Sequence, residues 1–259
     1  MKKNLGFGKY LTFGIRDNWL KSFINNGKNW FQNHNLGNKQ FDSMIAWLKD
    51  CELIDKNKEI IKENFETIQK IFMLDPYLGY QILWINLFNN SSVVNWYLCN
   101  IKWNTVYSFS ELKNIAISEL KIPERTIISG LNSLLNMFEH TPYGSIFKFG
   151  YIEKKSRERI IKKIGYDDIH PYAILYSLYR YAFNKNKFRL TLSELYKESI
   201  DDGPYLQFGI SVIKLKQILI SLKDNKRDLI NVELSADLDN INLIEDFATH
   251  FELLKYLNG

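Results

Sequence analysis

From Ser110 onward the chain spells out a short helix, a break, a longer helix and an extended segment, and this order constrains the fold more than any other feature. Ser110 reads as an N-cap ahead of Glu111, Leu112 and Lys113. Leu112, Ile115, Ala116 and Leu120 then share one helical face. Lys121, Ile122 and Pro123 break that helix, and Pro123 suits the first position of the next. Ile127, Ile128, Leu131, Leu134, Leu135 and Phe138 give the second helix its apolar stripe. Pro142, Tyr143 and Gly144 turn the chain into residues 145–153, which alternate roughly as a strand. This is the winged-helix order of elements.

The order returns twice. Near the start, Leu36 and Gly37 turn the chain, and Asn38 caps a helix reaching Lys49 with Met44, Ile45 and Leu48 facing inward. Residues 51–54 leave as a short strand and 55–57 turn. A third copy opens at Thr191, with a helix starting at residues 193–195 and another over 208–223. Residues 229–234 and 240–244 can pair as a hairpin. Residues 59–72, 77–88 and 173–183 read as helices outside the pattern, the middle one buried. Only 13 Gly and 5 Pro are present, too few for a sandwich or barrel with many tight turns. The predicted fold is mainly α with small β wings: several winged-helix-like helix-turn-helix units packed together. Their boundaries fall at 1–105, 106–165 and 166–259, the last unit carrying an acidic end.

Several function classes are disfavoured. Residues 77–88 are the most membrane-like stretch, yet their 12 residues fall short of the roughly 20 a spanning helix needs. Cys51 and Cys99 form no CxxC, and the four histidines are scattered. Met1, Lys2 and Lys3 lead into Gly6, Phe7 and Gly8 and not into an apolar run, so the expectation is a cytoplasmic protein without membrane attachment. No phosphate-binding loop, nucleophile elbow or HExxH occurs. Glu153 to Lys155 has the ExK spacing of one nuclease class, with Glu139 as the upstream acid, but reads better as a basic strand end. Asp167 and Asp168 read as caps for a helix starting near Pro171. No metal site is assigned.

Charge is unevenly placed. The chain carries 34 basic and 29 acidic residues, net +5. Residues 228–254 hold seven acids and no Lys or Arg, which leaves 34 basic against 22 acidic residues elsewhere, a net +12. A basic body suits a polyanion such as double-stranded DNA. In a winged helix the start of the second helix meets base edges. That nominates Asn38, Lys39 and Gln40 in the first copy, and Arg125 and Thr126 beside Glu124 in the second. Lys9, Arg16 and Lys21 supply cations around Trp19, and Lys154, Lys155 and Arg157 belong to the densest basic run. The N-terminal stretch with residues 38–40 is expected to form one surface. The competing readings are a non-enzymatic scaffold or adaptor, whose winged helices bind protein, and a transcriptional regulator.

Short words in fixed order add a resemblance. Residues 7–13 with Arg16, Trp19, Leu20 and Lys21 resemble a family opening F-x-G-H-E-T-F followed by R, W-L and K. Leu36 to Lys39 with Trp47, Asp75 to Leu78 with Leu83 and Trp84, Asn95 to Tyr97, Phe109 to Leu112 and Phe149 to Ile152 follow in the same order. The family is a prokaryotic domain of DNA phosphorothioation and defence loci that includes the phosphorothioation nickase SspB. The resemblance implies a role in sulfur modification of DNA or linked defence, such as a nick that opens the backbone for sulfur insertion. Partners would be DNA and other proteins of such a system. A nickase would need a divalent metal, Mg or Mn, held by carboxylates. Here Lys9 and Tyr10 replace the His-Glu pair, and the resemblance carries no catalytic residues over.

Overall fold

The computed structural model describes residues 6–155, 158–235, 238–247 and 249–258. It is mainly helical, with two small three-stranded sheets. The chain forms two compact units, Met1–Ile164 and Gly165–Gly259.

The first unit opens with α1 (Asp17–Asn26), α2 (Trp30–Asn33) and α3 (Asn38–Asp50), then α4 (Lys62–Leu74), α5 (Pro76–Asn90) and α6 (Ser92–Asn100). The α5 helix starts as its sequence dictates. Asp75 accepts from the Tyr77 and Leu78 amides at 2.9 and 3.1 Å, and Pro76 takes the first position. Leu78 to Phe88 are buried, whereas the Tyr77 side chain stays outside the core.

Next come β1 (Thr105–Ser108), α7 (Phe109–Glu119), α8 (Glu124–His140), α9 (Pro142–Ser145), β2 (Tyr151–Lys155) and β3 (Glu158–Lys163). The sheet order is β1-β3-β2, all antiparallel, with Thr105 opposite Lys163 and Tyr151 opposite Lys162. The N-cap of α7 is Ser108, two residues before the expected Ser110. Ser108 Oγ accepts from the Glu111 amide at 3.2 Å, and Glu111 accepts from the Ser108 amide at 2.7 Å. That reciprocal pairing satisfies two donors, which Ser110 cannot do. Pro123 precedes α8 as its N-cap instead of opening it. The expected strand at 145–153 begins only at Tyr151, because Phe147 and Phe149 are drawn into an aromatic core with Tyr143.

The second unit contains α10 (Pro171–Lys185), β4 (Arg189–Thr191), α11 (Pro204–Phe208), α12 (Val212–Asn225), β5 (Ile230–Ser235), β6 (Leu238–Leu243) and α13 (His250–Asn258). Its sheet runs β4-β6-β5 and is antiparallel, with Leu190 and Val232 both opposite Ile241. The hairpin expected near 229–244 is present. The helix expected over 208–223 starts only at Val212, because Gly209, with a φ of +63°, ends the short α11 just before it. His170, not Asp167 or Asp168, caps α10, accepting from the Tyr172 amide at 3.1 Å. Asp167 instead receives the Ser211 amide and hydroxyl at 2.7 and 2.9 Å, at the start of α12.

Both units thus run strand, helices, hairpin, with the hairpin's last strand in the middle of the sheet. The first of the three sequence copies differs. After α3 the chain makes a single bridge between Ile54 and Ile60. The Asp55 carboxylate accepts from the Asn57 and Glu59 amides at 2.8 and 2.9 Å, and this tight turn leaves too little chain for a sheet. Among the described residues, no helix is long and apolar enough to cross a membrane.

Candidate nucleic-acid interface

Residues 6–16 lie along α8. Glycine makes that approach possible: a Cβ on Gly14 would sit 2.0 Å from the Met137 nitrogen, and one on Gly130 would sit 2.5 Å from the Phe7 carbonyl. Hydrogen bonds then fix the segment from both sides. Ser129 Oγ donates to the Leu11 carbonyl, and Asn136 donates to Thr12 at 2.6 Å. From α3, Ser43 and the Trp47 indole donate to the Phe13 carbonyl at 2.8 and 3.0 Å.

This arrangement leaves a groove of about 820 Å³ lined by Lys9, Lys39, Arg125 and Thr126, among others. Four of the residues nominated from sequence, from three separate segments, therefore meet. Lys39 and Arg125 are exposed in the first turns of α3 and α8. Unpaired amides there add positive partial charge to the ammonium and guanidinium. Asn38 opens α3 and is exposed. Gln40 is occupied within the helix, where its Oε1 accepts from the Gly37 amide at 3.1 Å and so caps α3.

Lys9 is held in place from below. Its Nζ lies 2.6 Å from Asp50, a carboxylate that is only 5% exposed. The Tyr10 hydroxyl also donates to Asp50 and contacts Ser91 Oγ at 2.7 Å, and the Tyr10 ring stacks on Trp47 at 3.6 Å. Burial pushes the Asp50 carboxyl above its ordinary range, while the nearby Lys9 ammonium opposes the shift. Sequence reasoning missed Asp50. The available signal was a carboxylate at the inner end of the stripe formed by Met44, Trp47, Leu48 and Cys51.

The remaining nominated cations are elsewhere. Arg16 packs its guanidinium over the Trp19 ring at 4.8 Å. Lys21 pairs with Asp17 at 2.9 Å and lines a second hollow of about 540 Å³ with Tyr77, Glu139 and His140. The expected single surface is thus divided between two recesses. Lys154 is 74% exposed, with its Nζ 3.7 Å from Glu139. Arg157 and the Lys155 side chain lie outside the described residues. The rest of the basic run is committed internally. Arg159 donates to Asn132 at 2.5 Å and covers the Phe109 ring, and Lys162 pairs with Glu153 at 2.5 Å. Lys163 is fully buried, donating to the Tyr97 and Ile101 carbonyls and facing the Trp103 ring at 4.2 Å. Burial lowers its pKa well below the ordinary lysine value.

No family model matches the chain, and no curated protein does. Solved structures do. A magnesium ion-bound SspB crystal structure aligns with a TM-score of 0.70, covering 96% of this chain and 86% of that one at 13% identity. A second SspB crystal structure gives 0.67 with the same coverage and identity. The chain has the fold of SspB. The resemblance read from the sequence therefore holds at the level of fold. The bound magnesium is a property of that SspB structure. Among the described residues here, no three His, Cys, Asp or Glu side chains converge to hold a metal ion.

Proposed function

We propose that this protein binds duplex DNA through the groove between α3 and α8, as a component of a phosphorothioation or related defence system. The observation that carries the reading is the meeting of Lys9, Lys39, Arg125 and Thr126 at two helix N-termini. Cations and unpaired amides directed to one recess suit phosphate oxygens. The run β1, α7, α8, β2, β3 follows winged-helix order, and we read α8 as its recognition helix. Arg125 then reaches toward a base edge or phosphate, while Lys39 holds the adjoining backbone. The SspB fold supports the assignment to a sulfur-modification system. Nicking by the same complex would be read as open circles from supercoiled plasmid with magnesium.

The test is the variant Lys39→Ala with Arg125→Ala. Duplex affinity is expected to fall several-fold with little change in Tm, since both side chains are exposed. Unchanged affinity would reject the groove.

A second reading applies to the second unit. There the corresponding helix, α12, exposes Ile213 at 73% and Ile220 at 50%, two turns apart on one face. Apolar side chains at these positions favour a protein contact, as in a scaffold or adaptor. Ile213→Asp is expected to abolish such a contact and leave DNA affinity intact.

A further inference from the structure

At the far end of α8 the second hollow combines groups that the groove lacks. Tyr77 and Ile146 present apolar surface, 49% and 38% exposed, on one side. The Tyr77 ring is held edge-on by Phe147 at 6.0 Å. Polar groups face it: Lys21, Asp17, Glu139 and His140. Asp17 is already satisfied, since one oxygen accepts from the Tyr80 hydroxyl and the other from Lys21 at 2.9 Å. Glu139 is not. Its Oε1 is buried and, among the described residues, accepts no hydrogen bond, with Lys154 at 3.7 Å as its ion-pair partner. The Glu139 side chain as a whole is 18% exposed, so a donor entering the hollow can reach the carboxylate.

We infer that this hollow takes one unpaired nucleotide, with the base stacked on Tyr77, its exocyclic amine donating to Glu139, and its phosphate reached by Lys21 and Lys154. The inference rests on the DNA-binding reading and adds to it a preference for a strand that is at least locally single. The volume of about 540 Å³ is in the range of small-ligand pockets. An aromatic face, an acceptor and flanking cations are the elements that single-strand sites combine. Lys21 and Lys154 are 52% and 74% exposed, and each would exchange a surface ion pair, with Asp17 and Glu139, for the phosphate. Burial, and then Arg16, lower the His140 pKa, and the neutral ring offers one donor and one acceptor to a base edge. Cytosine, adenine and guanine carry the required amine, and thymine does not.

The experiment measures binding of the full chain to short oligo(dC) and oligo(dT) by fluorescence anisotropy at low salt. Oligo(dC) is expected to bind about tenfold more tightly, the effect of one hydrogen bond to a charged acceptor. Tyr77→Ala should weaken both about tenfold through loss of a stack, and Tyr77→Phe should retain affinity. Glu139→Gln should erase the difference between the two oligonucleotides, because an amide serves thymine as well as cytosine. Equal binding of oligo(dC) and oligo(dT) by the unmodified protein, or unchanged binding by Tyr77→Ala, overturns the inference. If Tyr77→Ala is silent while the Lys39 and Arg125 variant still loses duplex affinity, the nucleotide pocket falls alone. If the unmodified protein binds neither duplex nor oligonucleotide, both readings fall.

Discussion

Replacing Lys9 with Met keeps the aliphatic stem and removes the ammonium that faces Asp50 at 2.6 Å. Asp50 would remain 5% exposed, with the Tyr10 hydroxyl as its close donor. Removing one partner of a fully buried pair costs about 3–5 kcal/mol. Lys9 is 34% exposed and one donor survives, so about 2 kcal/mol is the discounted value. For a protein of this size that corresponds to a fall in Tm of roughly 4–8 °C. The deficit must depend on pH. The folded Asp50 carboxyl already titrates above its ordinary 3.8, and Lys9 is what restrains it. Without Lys9 the folded value rises further, so the folded state holds a proton that the unfolded state has released. Stability then falls as pH climbs from 3.8 through the shifted value. Thermal melts of Lys9→Met at about pH 4 and about pH 7 should show a small deficit at the first and the full one at the second. Adding Asp50→Asn should recover most of it. An equal deficit at both pH values, or no recovery in the double variant, would refute the reasoning.

Two further outcomes follow from the packing. Gly14→Ala should lower Tm and weaken DNA binding together, by about 1–3 kcal/mol in stability, because its Cβ meets the Met137 backbone and lifts residues 6–16 from α8; circular-dichroism melts paired with binding titrations check this. Lys163→Met should cost about 1–3 kcal/mol by leaving the Ile101 carbonyl without its side-chain donor. Since burial depresses the Lys163 pKa, the unmodified protein should gain stability as pH rises toward the ordinary 10.5, and melts of the variant should lack that gain.

The helical architecture was legible because its signals are local. Asp75 and Pro76 announce α5, and the stripe from Ile127 to Phe138 announces α8. Boundaries slipped where two candidates competed, as with Ser108 and Ser110, because reciprocal capping depends on which serine faces Glu111. The groove was legible residue by residue but not as a place. Lys9, Lys39 and Arg125 are far apart in sequence; close packing at Gly14 and Gly130 brings residues 6–16 onto α8, and Ser43 and Trp47 tie α3 to the same segment. Part of the basic run turns inward for a related reason. Alternation along β3 turns Arg159 and Lys163 inward, and periodicity does not say which side of a short sheet is covered. Of the second hollow, the sequence pointed to Lys21 and Glu139 separately but not to Tyr77, which belongs to an apolar helical pattern.

The central claim, that the groove binds DNA backbone, is tested most directly by the salt dependence of duplex affinity. With Lys9, Lys39 and Arg125 as the contacting cations, the slope of log K against log salt should be about −2.7, a loss of roughly 40-fold between about 50 and 200 mM. Lys39→Ala with Arg125→Ala should reduce the slope to about −0.9. An affinity that is flat over this range, or a double variant that keeps the full slope, would contradict the account.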